Sequence, residues 1–434
     1  MARADIVTAI DVGTDKCVTI IAAVDKELRT VRVMGVAAVP SRGVKRSQII
    51  DLEQVLLAVT ESLDSAERMA GVETKSAYVS VSGSHISSLN SKGVVAVAAP
   101  DQEISADDVA RVIEAARAVS LPSDREVIHI IPKSFSVDSQ EGIKDPVGMT
   151  GVRLETEAHI ITGLTTTLRN LEKCIIDLGI TLEGFVFSGL ASAEVVLSET
   201  EKELGVVALD IGAGSTALCV YVDGALEYSG SLPIGARHIT QDIALGCRVS
   251  LDAAEKIKVH LSSDSLKQLT PHPGESKQDF SKRKKQQDLL VLSDIGVLDE
   301  SESVSKKSVI EGIMVPRMRE LITLVGEQLE KKKLLPLVPA GLVLTGGGAQ
   351  TVMLAEVAKH TLQLPARVGL PEELQGLTSD IHTPTFATAI GLLVYGAKQM
   401  QDSGKAGFSL PRLSFTKITD APGKIFTIIR SLLP

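Results

Sequence analysis

At 434 residues the chain has room for two or three domains, each with a core of its own. Apolar residues make up 44% and charged residues 23%, close to the globular average, and 35 glycines and 17 prolines follow no repeat, which excludes disordered and collagen-like chains. Acidic residues outnumber basic ones 54 to 45, a net charge of −9, which argues against a broad basic face for phosphate backbones and so against nucleic acid as a partner. From Ile6 to Val24 the pattern predicts strand, tight turn, strand, with Gly13-Thr14-Asp15-Lys16 as the turn. Helical spacing follows over Leu52–Met69, Ser105–Val119 and Thr167–Asp177. The opening grammar then returns 199 residues on: Val206 to Gly212 leads through Ala213-Gly214-Ser215-Thr216 into Ala217–Val222, with Asp210 in the place of Asp11 and Gly212 in that of Gly13. Such an echo predicts two related α/β domains facing a shared cleft, two unrelated hairpins being the alternative. Helices are expected over Leu251–His260 and Ile313–Lys333. Between them, Ser262 to Ser308 turns polar and reads as a long, partly mobile insertion, with Lys282-Arg283-Lys284-Lys285 as a solvated loop face. A linker is expected from Gln401.

The four cysteines, Cys17, Cys174, Cys219 and Cys247, are far apart and form no Cys-x-x-Cys pair, which suits a reducing, intracellular setting. No apolar signal region follows Met1, so a cytoplasmic start is expected. No stretch nears the roughly 20 apolar residues of a spanning helix, so the chain is not expected to cross a membrane.

Phosphate binding needs backbone N–H donors brought close together, and glycine lets the chain bend and approach without a Cβ clash. Three turns have that character: Asp11, Gly13, Thr14 and Lys16; Asp210, Gly212, Gly214, Ser215 and Thr216; and Gly346, Gly347 and Gly348 after the apolar strand Leu342–Leu344. A helix is expected to begin near Gln350, with its N-terminal dipole on the third turn. Together the turns imply a nucleotide. Asp11 and Asp210 cannot bind phosphate, but can order the waters around a Mg²⁺ that bridges it, and Lys16 can neutralise a terminal phosphate. No Gly-x4-Gly-Lys-Ser/Thr loop is present, the eight histidines lack ligand spacing and no Gly-x-Ser-x-Gly elbow appears, which disfavours Walker-type enzymes, zinc enzymes and serine hydrolases.

In the order of these turns the chain resembles the superfamily of actin, DnaK-type chaperones and sugar kinases. More narrowly it resembles the FtsA family of bacterial cell-division proteins, through Pro40-Ser-Arg-Gly43, Gln140-Glu-Gly-Ile-Lys-Asp-Pro-Val-Gly148, Gly189-Leu-Ala-Ser192, Glu203-Leu-Gly205, Leu344-Thr-Gly-Gly347 and Thr385-Phe-Ala-Thr-Ala-Ile-Gly-Leu-Leu393. The resemblance covers about residues 5 to 400. It implies an α/β, actin-like two-domain ATPase fold with ATP in the interdomain cleft: residues 1–83, 164–198 and 373–400 as the first core, 199–226 and 309–372 as the second, and 227–308 as a further subdomain with the polar insertion. Residues 84–163 would be an extra subdomain through which filaments form. It also implies that Glu255 and Lys258, an i, i+3 pair on one helical face, hold the adenosine together with Gly346–Gly348. Relatives that hydrolyse ATP well carry a Glu before a Pro where this chain has Ser188-Gly189-Leu190; turnover is therefore expected to be weak or absent, with no catalytic residue assigned and Glu194 read as an exposed helix residue. Implied partners are the FtsZ C-terminal tail, contacting Arg317, Arg319 and the Lys282 cluster, further copies of the chain and other division proteins. For Arg317 a helix-surface ion pair is the other reading. The place of action would be the inner membrane's cytoplasmic face at the division septum.

The last eleven residues carry a separate signal. On a helical wheel Ile425, Phe426, Ile428, Ile429, Leu432 and Leu433 fall within about 160°, with Lys424, Thr427, Arg430 and Ser431 on the rest. Such a helix is about 16 Å long, half of a hydrocarbon core, so it can lie on a bilayer without crossing it. Residues 401–434 hold five basic side chains against two acidic ones, +3, leaving −12 for the remainder, which favours an anionic phospholipid surface. A helix docked on the protein's own body is the alternative. The readings are thus an ATP-binding filament protein that tethers FtsZ to the membrane, an actin-like scaffold of a pilus or secretion assembly, or a true ATPase or kinase of the superfamily.

Overall fold

The computed structural model describes residues 5–25, 30–98, 103–263, 276–297, 303–377 and 380–402. Two sheets dominate it, and they share one wiring. In the first, β1 (Asp5–Val12) and β2 (Lys16–Asp25) form the predicted hairpin and β3 (Thr30–Pro40) continues it antiparallel. β6 (Ser76–Val81) and β11 (Thr181–Phe187) add in parallel on the other side of β1, and a short β19 (Gln375–Gly376) joins at β3. In the second, β12 (Val206–Ile211) and β13 (Thr216–Val222) repeat the hairpin and β14 (Ala225–Leu232) continues it. β17 (Gly341–Thr345) and β18 (Ala366–Val368) add in parallel beside β12. The sequence echo of Asp11 and Asp210 is therefore a duplicated topology, and each aspartate lies at the same end of the same strand.

Strands buried on both faces read as continuous apolar runs rather than alternating ones, and β12 shows why. Val206 and Ala208 join a core shared with α4 (Ser188–Val196) and α12 (Ala387–Asp402), which pack against each other, while Val207, Leu209 and Ile211 face a second core. That second core is completed by α6 (Ala236–Cys247), α7 (Leu251–Ser263), α10 (Val315–Lys331) and α11 (Leu354–Leu362). On the first sheet, α1 (Leu52–Ala70) is capped by the Asp51 carboxylate at its start and by left-handed Gly71 at its end, and α3 (Thr165–Asp177) follows the predicted pattern.

Between β6 and α3 a small α/β unit is inserted. Strands β7 (Ser87–Ala96), β8 (Arg125–Val137), β9 (Gln140–Ile143) and β10 (Arg153–Leu164) form a sheet in the order β7-β10-β8-β9, and α2 (Ala106–Arg117) lies on it over a core of its own containing Ile104, Val109, Val112, Phe135 and Leu154. A Ser105–Asp108 capping box starts α2.

Three expectations need correction. The basic cluster is not on a loop: it lies in helix α8 (Lys277–Asp288), which leads into a hairpin of β15 (Leu289–Val291) and β16 (Ser303–Ser305). Its high polarity obscures any helical stripe, since a helix with no apolar face carries no periodic signal. Residues 264–275 and 298–302 of the same insertion lie outside the described residues. Second, the helix expected from Ile313 starts earlier: α9 (Lys306–Val309) runs through a π turn, Ile310–Met314, into α10. Pro316 follows in the first turn of α10, where its missing N–H is tolerated. Third, α12 runs through Asp402, so the expected linker is still helical at its first two residues. Residues 403–434, with the proposed membrane helix 424–434, lie outside the described residues. Shorter elements include a hairpin of β4 (Val44–Lys45) and β5 (Gln48–Ile49), and α5 (Glu199–Leu204).

Candidate functional site

The two hairpin turns close in the same way. Gly13 N–H donates to the Lys16 carbonyl at 3.0 Å, and Gly212 N–H to the Ser215 carbonyl at 2.9 Å. They face each other across a cavity of about 780 Å³, which lies within the size range of small-ligand sites. It is lined by Asp11, Gly13, Thr14 and Lys16 from the first turn, and by Asp210, Gly212, Gly214 and Ser215 from the second. Glu255 and Lys258 of α7 and Gly346, Gly347 and Gly348 after β17 complete the set. Every residue expected at the nucleotide therefore meets in one place except Thr216. That residue is fully buried at the start of β13 and spends its hydroxyl on the Ile234 carbonyl, 2.8 Å away, because successive strand residues point to opposite faces and Thr216 follows cavity-lining Ser215.

The two aspartates are differently supported. Ser80 Oγ donates to Asp11 Oδ1 at 2.5 Å, and Thr388 Oγ1 donates to Asp210 Oδ2 at 2.9 Å. Burial pushes Asp11 up, opposed by Ser80 and by Lys16. Burial and then the nearby Asp11 push Asp210 up to about 7, against hydrogen bonds from Thr388 and Ser188. A divalent cation beside the two acids would relieve the repulsion by which Asp11 raises Asp210. No third acid, His or Cys completes a protein-only metal cluster among the described residues.

Gly346 is the third turn's key position. Its φ is +80°, and a Cβ there would stand 2.4 Å from Asp210 Oδ1. Its N–H donates to the Pro384 carbonyl at 3.0 Å. The expected helix at Gln350 is absent: Gly347–Gln350 is a single 3-10 turn, left-handed Met353 interrupts the chain, and α11 starts only at Leu354.

Glu255 and Lys258 share one face as expected, and Thr240 of α6 joins them. Lys258 Nζ donates to Glu255 Oε2 at 2.8 Å and to Thr240 Oγ1 at 3.0 Å, and Thr240 Oγ1 donates to Glu255 Oε2 at 2.6 Å. Thr240 gave no sequence signal, since one threonine on an amphipathic helix is unremarkable. Ser47, Ser80, Ser188, Arg237, Gln350, Thr385 and Thr388 also line the cavity without having been singled out for it. The hairpin β4–β5 brings Ser47 in: its N–H donates to Thr14 Oγ1 at 3.0 Å and its hydroxyl meets Ser215 Oγ at 2.7 Å, so it touches both turns.

No carboxylate stands at Ser188, the first residue of α4. Glu194 is not the exposed helix residue expected; it is part-buried on α4 and paired with Lys398 and Lys202, away from the cavity lining. Arg317 is held by Asp242 at 2.5 and 2.9 Å and by Glu320 at 2.5 Å, the ion pair that stood as its other reading, while Arg319 is exposed. No described helix is long and apolar enough to cross a membrane.

Comparison with known proteins places this arrangement. Residues 83–162 match the family model described as the SHS2 domain inserted in FTSA, and residues 207–391 match that of cell division protein FtsA. The chain is 34% identical to cell division protein FtsA of Pseudomonas aeruginosa over 91% of its own length and 90% of the relative's. It is 35% identical to that of Borreliella burgdorferi, with 92% of each covered, and 33% identical to that of Escherichia coli K12, again with 92% of each covered. Among solved structures, a chain of the PilM–PilN type IV pilus biogenesis complex superposes with a TM-score of 0.60 at 15% identity, covering 90% of this chain and 98% of that one. MreB 5 of Spiroplasma citri bound to AMPPNP gives 0.52 at 13% identity, covering 93% and 100%. These likenesses show an actin-like fold; by identity and coverage in sequence, the chain belongs to the FtsA family of cell-division proteins.

Proposed function

We propose that this chain binds ATP with Mg²⁺ in the cavity between its two duplicated halves, assembles into filaments and holds FtsZ at the inner membrane through its C-terminal segment. The observation that carries the nucleotide reading is the meeting of three glycine-bearing turns from three separate parts of the sequence around one cavity, with an acid on each of the two halves. Asp11 and Asp210 would hold the metal, largely through water because they supply only two ligands, and the metal would neutralise phosphate oxygens. Ser80, Thr388 and Ser188 orient the two carboxylates. Lys16, Thr14 and Ser215 present the charge and hydroxyls that phosphate oxygens accept from, and Glu255 and Lys258 take the adenosine. The solved MreB neighbour is one bound to AMPPNP, which fits this reading.

Hydrolysis is a weak activity at most in this proposal. A water molecule attacking the terminal phosphate lacks a positioned carboxylate at Ser188, and general-base help is typically worth a factor of about 10²–10⁴. Bound nucleotide then acts chiefly as a structural ligand that joins the halves. Asp210→Ala tests the site: Mg-ATP affinity and polymerisation measured by calorimetry and light scattering should fall together. Unchanged affinity would show the cavity to be misassigned.

The tether is carried by the sequence of 424–434, the FtsZ contact by family membership alone. With Arg317 already paired to Asp242 and Glu320, the exposed Arg319, Lys282 and Lys285 are the basic groups left for an acidic peptide.

A further inference from the structure

The five residues 384–388 touch three parts of the cavity and belong to none of the turns. Pro384 accepts from the Gly346 N–H at 3.0 Å, Thr385 Oγ1 donates to Gln350 Oε1 at 3.3 Å, and Thr388 supports Asp210. Between them, Phe386 lies just behind the lining and offers its ring face to Lys16, whose Nζ stands 4.0 Å from the ring centroid.

That seat matters because of what Lys16 does not do. Asp11 and Asp15 both attract it, yet among the described residues no ion pair within 4.0 Å joins Lys16 to either acid. An ammonium drawn onto Asp11 would cancel the very carboxylate that faces a metal, and would be spent before a phosphate arrived. An aromatic face attracts a cation through its quadrupole without supplying a formal negative charge, so it holds the charge in place and leaves it available. The side chain that does this is carried by a turn hydrogen-bonded to Gly346.

We infer that Phe386 is a positioning residue for Lys16, setting the ammonium where it reads the terminal phosphate of a nucleoside triphosphate. The inference rests on the nucleotide reading above and deepens it. Loss of the ring lets Lys16 move towards Asp11, so the nucleotide with the extra terminal phosphate suffers more than the one without.

The test is calorimetric titration of the full chain with Mg-ATP and Mg-ADP, for the wild type, Phe386→Leu, Phe386→Tyr, Lys16→Ala and the Lys16→Ala/Phe386→Leu double variant. Phe386→Leu should weaken ATP by roughly 3- to 30-fold, the range expected of a cation–π contact from exposed to desolvated, and ADP by less than about twofold. Phe386→Tyr, which keeps the ring, should restore the ATP-to-ADP ratio. In the Lys16→Ala background Phe386→Leu should add no further loss, since the partner it positions is gone. Equal losses for both nucleotides, an unchanged ratio, or a full additional loss in the Lys16→Ala background overturns the proposal while leaving ATP binding intact. If the wild type binds neither nucleotide, the nucleotide reading itself fails and this inference fails with it. Should thermal denaturation show Phe386→Leu to be poorly folded, Phe386→Met, which conserves volume without the ring, carries the same comparison.

Discussion

Asp210 shows how a single position concentrates the chemistry of the cavity. It ends a strand buried on both faces, is only 9% exposed, and meets Thr388, Ser188 and the electrostatic field of Asp11. Gly346 is its necessary neighbour: the left-handed backbone and the 2.4 Å approach of an imagined Cβ to Oδ1 leave no side chain room. Gly346→Ala should therefore cost about 1–3 kcal/mol in denaturant unfolding, from the strained φ and the displaced carboxylate, and should weaken Mg-ATP binding as well. Wild-type values in both measurements would remove Gly346 from the site. Asp11 and Asp210 were legible in sequence because each precedes a glycine turn at equivalent places. Thr388 and Ser80 were not, because a hydroxyl becomes a carboxylate's support only when its strand or helix is brought alongside.

Among elements, the joint between the inserted unit and the second sheet is the least expected. Strands β7 and β14 are both outer strands of their sheets, and side chains of one satisfy the open backbone edge of the other. Ser88 Oγ donates to the Ser229 carbonyl at 2.7 Å and accepts from its N–H at 3.1 Å, and Asn90 Nδ2 donates to Glu227 Oε1 at 2.9 Å. His159 of β10 closes the joint, with Nδ1 2.6 Å from Asn90 Oδ1 and Nε2 3.0 Å from Ser229 Oγ, while Lys133 pairs with Glu227 and Glu157. A unit inserted into the first half is thus bonded to the second.

Burial, then Lys133 and His129, lowers His159 to about 3, and burial lowers His85 and His129 to about 4. Below the ordinary value of 6.5 the unfolded chain takes up protons that these folded imidazoles refuse, so their contribution to stability is complete above pH 6.5 and is lost as pH falls towards 4. Asp210, raised to about 7, has the opposite sign: its contribution weakens as pH rises through 7. His159→Asn separates the two. Between pH 6.5 and 4 its unfolding free energy should depend less steeply on pH than the wild type's, by up to one proton or about 1.4 kcal/mol per pH unit, read from denaturation midpoints across that range. Parallel curves would show that His159 does not titrate in this way.

For the whole molecule, the duplicated sheets make the cavity a joint between halves, and the C-terminal segment adds a second requirement. If the proposed helix forms, its six apolar side chains would bind a bilayer only reversibly, because ordering the segment and partial insertion offset most of the gain. Copies linked in the proposed filament would present many such segments, and multivalency raises avidity by roughly 10²–10⁴ without a new contact. Co-sedimentation with anionic liposomes should therefore pellet the full chain, more strongly with Mg-ATP, and should leave a chain ending at Ala421 in solution. Equal pelleting of the two chains would remove the tether.

Local pattern alone determined the hairpins, their glycine turns, the paired aspartates and most helices, because alternation, helical spacing and glycine's conformational freedom are properties of neighbouring residues. The helical register of Glu255 and Lys258 was legible for the same reason. Tertiary packing decided the rest. It turned Thr216 away, replaced the helix expected after Gly348 by a 3-10 turn, brought Thr240, Thr388 and Phe386 to the cavity and bonded β7 to β14. Each of these depends on which segment lies alongside which, and residues as far apart in the chain as Asp210 and Thr388 leave no local signature of meeting.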